Sequence, residues 1–545
     1  MAPVRIPKSC QVRQKSGSSS DDDAAAEFNQ THSLAMTAIS SRMSRSVLTG
    51  LLVGLLLSCA NGAEEVKGAS GPIVNIAAGH ELERSFIGFG VEWEYEGDRR
   101  DLNLDNPLWT ERWPEVLKRV DFMRPSILRV MHDARMYTRF EGDRIVSDYE
   151  SPRMEGIYRI LDYAKSRNIP VLFGEWWLHE TYRKSLGSVT DPRWAEDIIV
   201  PFLRYLRERR GYTNITYFNL INEPTRKELA PGVGFDFDDW RTAVIHLHQA
   251  LGKRGLADKI LIAGPDGPGD WGKWLERVSN DGELRECIGA YEYHLYAHLQ
   301  TDKWLPSLLE GKLESDELRP RRLMVNANDP KGGSKPFFMG EAGIDDGNTG
   351  DNQPNRMGFP YGVWMADYAI QSMRAGQAGL IAWCLDDAMH TWGSYGEAGL
   401  KGWGFWNSLA GFKDYPAGDF KPRPWFYPWS LMCRLFPRGS QILVADATND
   451  PACRVAAARL PDGGGFSFAI VNESSTPRSV SLKMPDEQLR TLHEYRYFIG
   501  NHPVNADGFP IPAASRENVK LSAGVSVSLP SAGVVFLTTQ QPPDR

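Results

Sequence analysis

Between Phe86 and Asp386, eight short apolar runs alternate with longer amphipathic stretches, and this alternation narrows the choice of fold more than any other feature of the 545-residue chain. The runs occupy residues 86–93, 127–131, 169–173, 215–221, 259–263, 288–293, 336–339 and 380–385. Helical spacing of apolar residues marks 113–123, 156–167, 194–209, 237–253 and 361–375 between them. Strands that read as nearly continuous hydrophobic runs are those of parallel sheets covered by helices. Eight of them in alternation with helices predict an α/β fold, a (β/α)8 TIM barrel over residues 81–436.

The texture changes after an aromatic helical stretch at 424–436. Seven short β-branched runs, at 441–445, 454–458, 466–471, 479–482, 495–498, 519–521 and 534–538, are separated by turn residues. Such spacing predicts a C-terminal antiparallel β-sandwich over 437–545, to which 72–77 can add one more strand.

The N-terminal part has a different character. Residues 1–42 are polar and of low complexity, with the run SGSSSDDD, and read as a disordered or untranslated leader. Residues 43–58 combine a basic start with an apolar stretch too short to cross a bilayer core of about 30 Å, which is the pattern of a signal peptide. Its ending, Leu56-Leu57-Ser58-Cys59, resembles the bacterial lipoprotein box. That resemblance implies export, acylation of Cys59 and a cell-envelope location, with 59–80 as tether and possible strand; ordinary cleavage near Ala60 or Ala63 would make the protein secreted instead. A net charge of −7 gives no electrostatic reason to bind nucleic acid. Six cysteines without a CxxC pair do not suggest a zinc site, and no phosphate loop, dinucleotide fingerprint or serine-nucleophile elbow is present, so neither metal nor cofactor is expected.

Catalytic residues of such barrels sit where strands end. The fourth run ends Asn222-Glu223-Pro224 and the seventh Gly340-Glu341-Ala342-Gly343. Two carboxylates facing one cavity can divide labour, the protonated one as acid and the ionised one as nucleophile or base. Around them stand Arg129 in the second run, His294 and Tyr296 after the sixth, and Trp383 in the eighth.

These residues together resemble clan A glycoside hydrolases, the superfamily with catalytic acids on strands four and seven, over about residues 84–436. The trailing sandwich is similar to that of families 30, 39 and 51. The resemblance implies a retaining enzyme acting on an oligo- or polysaccharide, with Glu223 as acid/base and Glu341 as nucleophile. It further implies that Asn222 holds the sugar 2-hydroxyl, that Tyr296 donates to Glu341, that Arg129 and His294 assist, and that Trp383 floors the sugar subsite. A transglycosylase would use the same residues, and a glycan-binding lipoprotein could keep the barrel without turnover. One departure is the third strand, which ends Glu175-Trp176-Trp177 where family 5 members usually have a histidine. Glu175 could tune a pKa, bind a sugar hydroxyl or pair with Arg129. Trp93, Trp176, Trp177, Trp271, Trp392, Trp403 and Trp406 are candidates to stack on sugar rings, and Asp386, Asp387 and His390 to bind outer hydroxyls.

Overall fold

The computed structural model describes residues 71–83, 86–94, 108–176, 178, 180–225, 235–267, 271–298, 304–345, 353–387, 402–412, 419–448 and 450–543. The leader, the signal segment, Cys59, Trp177, Trp392 and His390 lie outside them. No helix among the described residues is long and apolar enough to cross a membrane.

The chain begins with a strand, β1 (Ile73–Glu83), and then enters the barrel. The barrel strands are β2 (Gly88–Glu92), β3 (Ile127–His132), β6 (Val171–Glu175), β7 (Ile215–Asn219), β8 (Leu261–Pro265), β9 (Ile288–His298), β10 (Phe337–Asp345) and β11 (Gly379–Ala382); a hairpin, β4 (Thr138–Glu141) and β5 (Arg144–Ser147), follows β3. All eight pairings are parallel and β11 closes onto β2, so the predicted barrel is present with each strand at its expected run. Inside it Ile127, Leu172, Tyr217, Ala263, Ala290, Phe338 and Ile381 form a plug of apolar side chains. On β3, β7 and β9 the next inward residues are polar, Arg129, Asn219 and Glu292, because strand side chains alternate with period two.

The sandwich strands are β12 (Gln441–Ala445), β13 (Cys453–Arg459), β14 (Phe466–Asn472), β15 (Arg478–Lys483), β16 (Leu489–Tyr497), β17 (Ala514–Lys520), β18 (Val525–Leu529) and β19 (Gly533–Thr538), joined in the order β17-β16-β19-β14-β13-β12-β1-β15-β18. β1 is indeed the additional strand, antiparallel to β12 and parallel to β15. The single run expected at 519–521 covers the end of β17 and the first residue of the turn that leads into a further strand, β18. β17 alternates polar and half-buried residues at the edge of the sheet, which hides it from a search for apolar runs.

The segment 304–335, which carries no marked helical or strand run in the sequence, is largely helical, with helices Trp304–Leu309 and Arg319–Asn328. Leu308, Leu313, Leu318 and Val325 supply its buried face. The helix Phe359–Arg374 is buried nearly all round, as a helix lodged between barrel and sandwich must be. Arg454 of β13 reaches into that helix and clamps Asp367 with two hydrogen bonds, while Gln371 Nε2 donates to the same carboxylate at 3.0 Å.

Candidate active site

Each acidic residue of the barrel mouth is placed by strand phase. Along β9, Ala290 lies in the apolar plug and Glu292, His294 and Tyr296 follow at two-residue steps, so all three turn inward. β10 needs a further device. Its register against β9 jumps from Met339↔Tyr293 to Glu341↔His294, so Gly340 is an extra residue in the strand. A bulge of this kind re-aims the next side chain, and here it brings Glu341 to the mouth. Glycine is required at the bulge, because a Cβ at 340 would stand 1.8 Å from Glu292 Oε1. Glu223, beyond the end of β7, has φ 44°, a left-handed conformation seldom used by non-glycine residues. Its N–H donates to Asp266 Oδ2 at 3.1 Å, which fixes the turn.

Arg129 is the hub. Nη1 donates to Glu341 Oε1 at 2.5 Å and also to Glu92, and Nη2 donates to Asn222 Oδ1 at 2.7 Å and lies 3.4 Å from Asp266 Oδ1. Tyr296 OH donates to Glu341 Oε2 at 2.7 Å. His294 sits between the two predicted catalytic acids, Nδ1 being 3.0 Å from Glu223 Oε1 and 3.6 Å from Glu341 Oε2. Its Nε2 is 2.9 Å from Asp266 Oδ1. The structure therefore brings Arg129, Asn222, Glu223, His294, Tyr296 and Glu341 into one buried cluster.

The electrostatics follow from crowding charge away from water. Burial pushes the Glu341 carboxyl up to about 7, against the opposing pull of His294 and Arg129. Burial likewise holds Glu92 well above the ordinary carboxylate range despite Arg129. Glu292 is raised by burial and by the neighbouring Asp266 charge. Burial also acts against ionisation of Asp266, but His294 and Arg129 outweigh it and hold this carboxyl far below its usual value. For His294, burial disfavours the cation, yet Glu341 and Asp266 raise the imidazole well above its ordinary value.

Atoms of Glu223, His294 and Glu341, and of Asp266, Glu292 and His294, lie within 4.8 Å of one another, a spacing a metal could bridge. Arg129 already supplies a cation to Glu341 and Asp266, so neither set is assigned to a metal.

Trp383, after β11, is buried against Trp403 with ring centroids 4.9 Å apart, and its indole N–H donates to Glu94 Oε1 at 3.3 Å. Trp403 meets Tyr296 edge to face at 5.7 Å, which links this aromatic pair to the cluster.

Other candidates stand elsewhere. Trp93 follows inward-facing Glu92 and so points outward, into the core between Trp113 and Tyr163, rather than toward a ligand. Glu175 points outward by the same alternation and does not meet Arg129. It accepts from Ala134 N–H at 3.2 and 3.1 Å and lies 3.4 Å from His132 Nε2. Trp176 is buried just after β6, its backbone N–H on His132 O. Asp386 is not turned to an outer subsite. It accepts from Trp406 Nε1 at 2.7 Å, from Ser408 N–H at 3.0 Å and from the Ser408 hydroxyl, tying down the segment after β11 and holding Trp406 in the core. Asp387 is paired with Arg423.

Two members of the cluster escape a reading of the sequence alone, Asp266 and Glu292. Asp266 follows Gly264-Pro265 at the end of β8, a strand-end carboxylate like the others. Glu292 is a charge inside an otherwise apolar strand, two residues before His294.

The architecture is that of a TIM barrel with an appended, mostly antiparallel β-sandwich. By sequence, the chain matches no protein-family model and no curated protein. Solved structures do share its fold. A GH30 endoxylanase from Clostridium papyrosolvens C71 is 13% identical with a TM-score of 0.56, covering 86% of this chain and 100% of that one. A GH39 β-xylosidase from Caulobacter crescentus is 13% identical with a TM-score of 0.54 over 86% and 100%. A conserved exported protein from Bacteroides fragilis is 14% identical with a TM-score of 0.59 over the same shares.

Proposed function

We propose that the chain is a retaining glycoside hydrolase that cleaves a β-linked glycan or glycoside. The observation that carries this reading is the pairing of Glu223 and Glu341, with carboxyl oxygens within 4.8 Å of each other. Retaining enzymes keep their carboxyl groups about 5–5.5 Å apart, whereas inverting enzymes need about 6.5–9.5 Å to admit a water. That structures sharing this fold include a xylanase and a xylosidase is consistent with a carbohydrate substrate.

In the first half-reaction a Glu341 oxygen attacks the anomeric carbon while Glu223 gives its proton to the departing glycosidic oxygen. In the second, Glu223 takes a proton from water, and the water oxygen displaces Glu341. Arg129 and Tyr296 hold the Glu341 carboxylate in place, one on each oxygen. Asn222 accepts from Arg129 through Oδ1, which orients its amide N–H group for the sugar 2-hydroxyl. Trp383 supplies the apolar floor.

The test is hydrolysis of aryl β-glycosides and a polysaccharide panel by the wild type and by Glu223→Gln and Glu341→Gln, with product anomers followed by NMR. Release of the β-anomer first, and its loss in both variants, is the expected result. An initial α-product, or unchanged turnover in either variant, would overturn the assignment. Glycan binding without any product would favour a non-catalytic binder instead, and exclusive transfer to sugar acceptors a transglycosylase.

The lipoprotein-like ending at Cys59 supports, as part of the same proposal, export and acylation at that residue. Mass spectrometry of the mature N-terminus tests it: an acylated Cys59 is expected, and an unmodified terminus at Ala60 or Ala63 would contradict it.

A further inference from the structure

The barrel mouth holds more acids than two catalytic roles require. Among the described residues, Glu92, Glu223, Asp266, Glu292 and Glu341 are all buried around two groups that can be cationic, Arg129 and His294. A buried acid without a matching cation is costly unless it is neutral or has a task. Glu92 and Glu341 both accept from Arg129 Nη1, whereas Asp266, 3.4 Å from Arg129 Nη2, and Glu292 lie on the Nε2 side of the imidazole, away from the catalytic pair.

We infer that Asp266 is a positioning residue that keeps His294 a permanent imidazolium, shared between Glu223 and Glu341 so that one fixed cation serves both half-reactions. This inference rests on the glycosidase reading. The geometry is direct: Nε2 of the ring is 2.9 Å from Asp266 Oδ1, and Nδ1 is 3.0 Å from Glu223 Oε1 and 3.6 Å from Glu341 Oε2. With both nitrogens protonated, the ring donates to Asp266 on one side and toward the reacting carboxyls on the other.

The charge count shows why this matters. Before reaction the negative charge is on Glu341 and the proton on Glu223. When Glu341 bonds to the anomeric carbon its charge disappears, and when Glu223 protonates the leaving oxygen a charge appears there. The negative charge has thus moved between carboxyls that both lie beside Nδ1, and hydrolysis moves it back. A cation placed between the two stabilises each state without rearranging, which is the kind of preorganised electrostatics that lowers barriers in a water-poor site. His294 gains and loses no proton in the cycle.

Every group facing the ring fits this arrangement. Glu223 after β7, Asp266 after β8, and Glu341 on β10 favour the cation. Arg129 on β3 disfavours it but is itself held by Glu341, Asp266 and Glu92. Glu292 on β9 lies 3.5 Å from Nε2 and within 4.8 Å of Asp266, and burial together with the Asp266 charge disfavours its ionisation, so it competes little for the His294 cation. Tyr296 on β9, also neutral, is engaged with Glu341.

Histidine-ring NMR on the full chain tests the inference without substrate, with His294→Gln identifying the signal. In the wild type the His294 ring is expected to be doubly protonated at pH 8. In Asp266→Asn it is expected to be neutral at that pH, whereas in Glu292→Gln it is expected to stay charged. A neutral ring in the wild type at pH 8 overturns the inference whether or not the variants fold, as does a charged ring in folded Asp266→Asn.

Kinetics adds a second readout. In Asp266→Asn the alkaline limb of kcat/KM for an aryl glycoside should move by about one pH unit or more toward acid, with activity recovering as pH falls. An equal loss at every pH would mark Asp266 as merely structural and overturn its positioning role. A charged ring in a chain that hydrolyses no glycoside would instead overturn the glycosidase reading, so the two failures are distinguishable.

Discussion

The barrel mouth and the seam between barrel and sandwich both bury ionised side chains, but they balance them in opposite ways. At the seam Arg454 clamps Asp367, Gln371 adds a further donor, and Arg454 Nη1 turns to the carbonyl of Leu309 at 3.2 Å, while one further acid beside the pair, Glu473, is held well above the ordinary carboxylate range by burial and the Asp367 charge. Each polar atom of Asp367 has a partner, and the contact does nothing but hold. Among the described residues of the mouth at least five buried carboxyls surround Arg129 and His294, and Glu341 is displaced to about 7 by burial. Matched buried charge is a structural joint. Mismatched buried charge keeps protons close to neutrality, where they can be moved.

The largest expected effect that separates the two regions is on turnover. Glu341→Gln should lower kcat by about 10⁴-fold or more, since no carboxylate remains to attack. Glu223→Gln should lower it by about 10²–10⁴-fold on substrates with poor leaving groups. Azide should restore turnover of an activated glycoside by Glu223→Ala, giving the β-glycosyl azide; failure of that rescue would count against Glu223 as the acid/base. Neither seam residue should affect kcat.

The reverse holds for stability. Arg454→Met, which strands Asp367 in the seam, should cost about 3–5 kcal/mol in urea unfolding with kcat/KM unchanged. The double variant Arg454→Met/Asp367→Leu should recover most of that loss. If it does not, the seam is not the simple matched joint described here.

Next in size is the hydrogen bond from Tyr296 to Glu341. Hydrogen bonds to charged groups are worth about 1.5–3 kcal/mol, so Tyr296→Phe should lower kcat/KM by about 10–100-fold. The acid limb should also move upward in pH as the carboxylate loses a donor.

The smallest effect concerns pH and stability. Glu341 has a higher pKa folded than its ordinary value, so the folded chain retains a proton there that the unfolded chain releases. Stability therefore falls as pH rises from about 4.5 to about 7, while nucleophile activity rises over the same window. Glu341→Gln removes the ionisation and should gain about 1–3 kcal/mol at pH 8, read by thermal unfolding. No gain would mean that Arg129 and His294 already compensate the buried charge in full.

Much of this was readable from residue order, and the gaps have physical causes. The two glutamates stand out because each closes an apolar run beside Pro224 or Gly343, although β10 runs on through Gly343 to Asp345, and the barrel follows from eight apolar runs. The phase of each strand was not readable. In a run buried on both faces, nothing local says which residues face the interior. Residue order alone therefore leaves Trp93 a candidate to stack on a sugar ring and Glu175 a candidate to meet a hydroxyl or Arg129, although alternation turns both outward. The bulge at Gly340 reverses phase within a strand, and only its pairing with the neighbouring strands β9 and β11 reveals it. Asp266 and Glu292 were passed over because each looks ordinary alone; they matter through a histidine that is distant from Asp266 in the chain.

β1 has a consequence for the order of folding. The strand lies ahead of the barrel in sequence, yet Ile76 pairs with Ala445 and Val74 with Leu482. It cannot find its place until the whole barrel and the first sandwich strands have been made. Contacts this remote along the chain carry a high loop-closure cost and slow assembly. Until then the facing edges of β12 and β15 lack their partner, and exposed strand edges invite pairing with other chains. A newly made molecule would thus pass through a stage in which its barrel is closed but its sandwich is not, and that interval is when this protein should be most dependent on folding assistance.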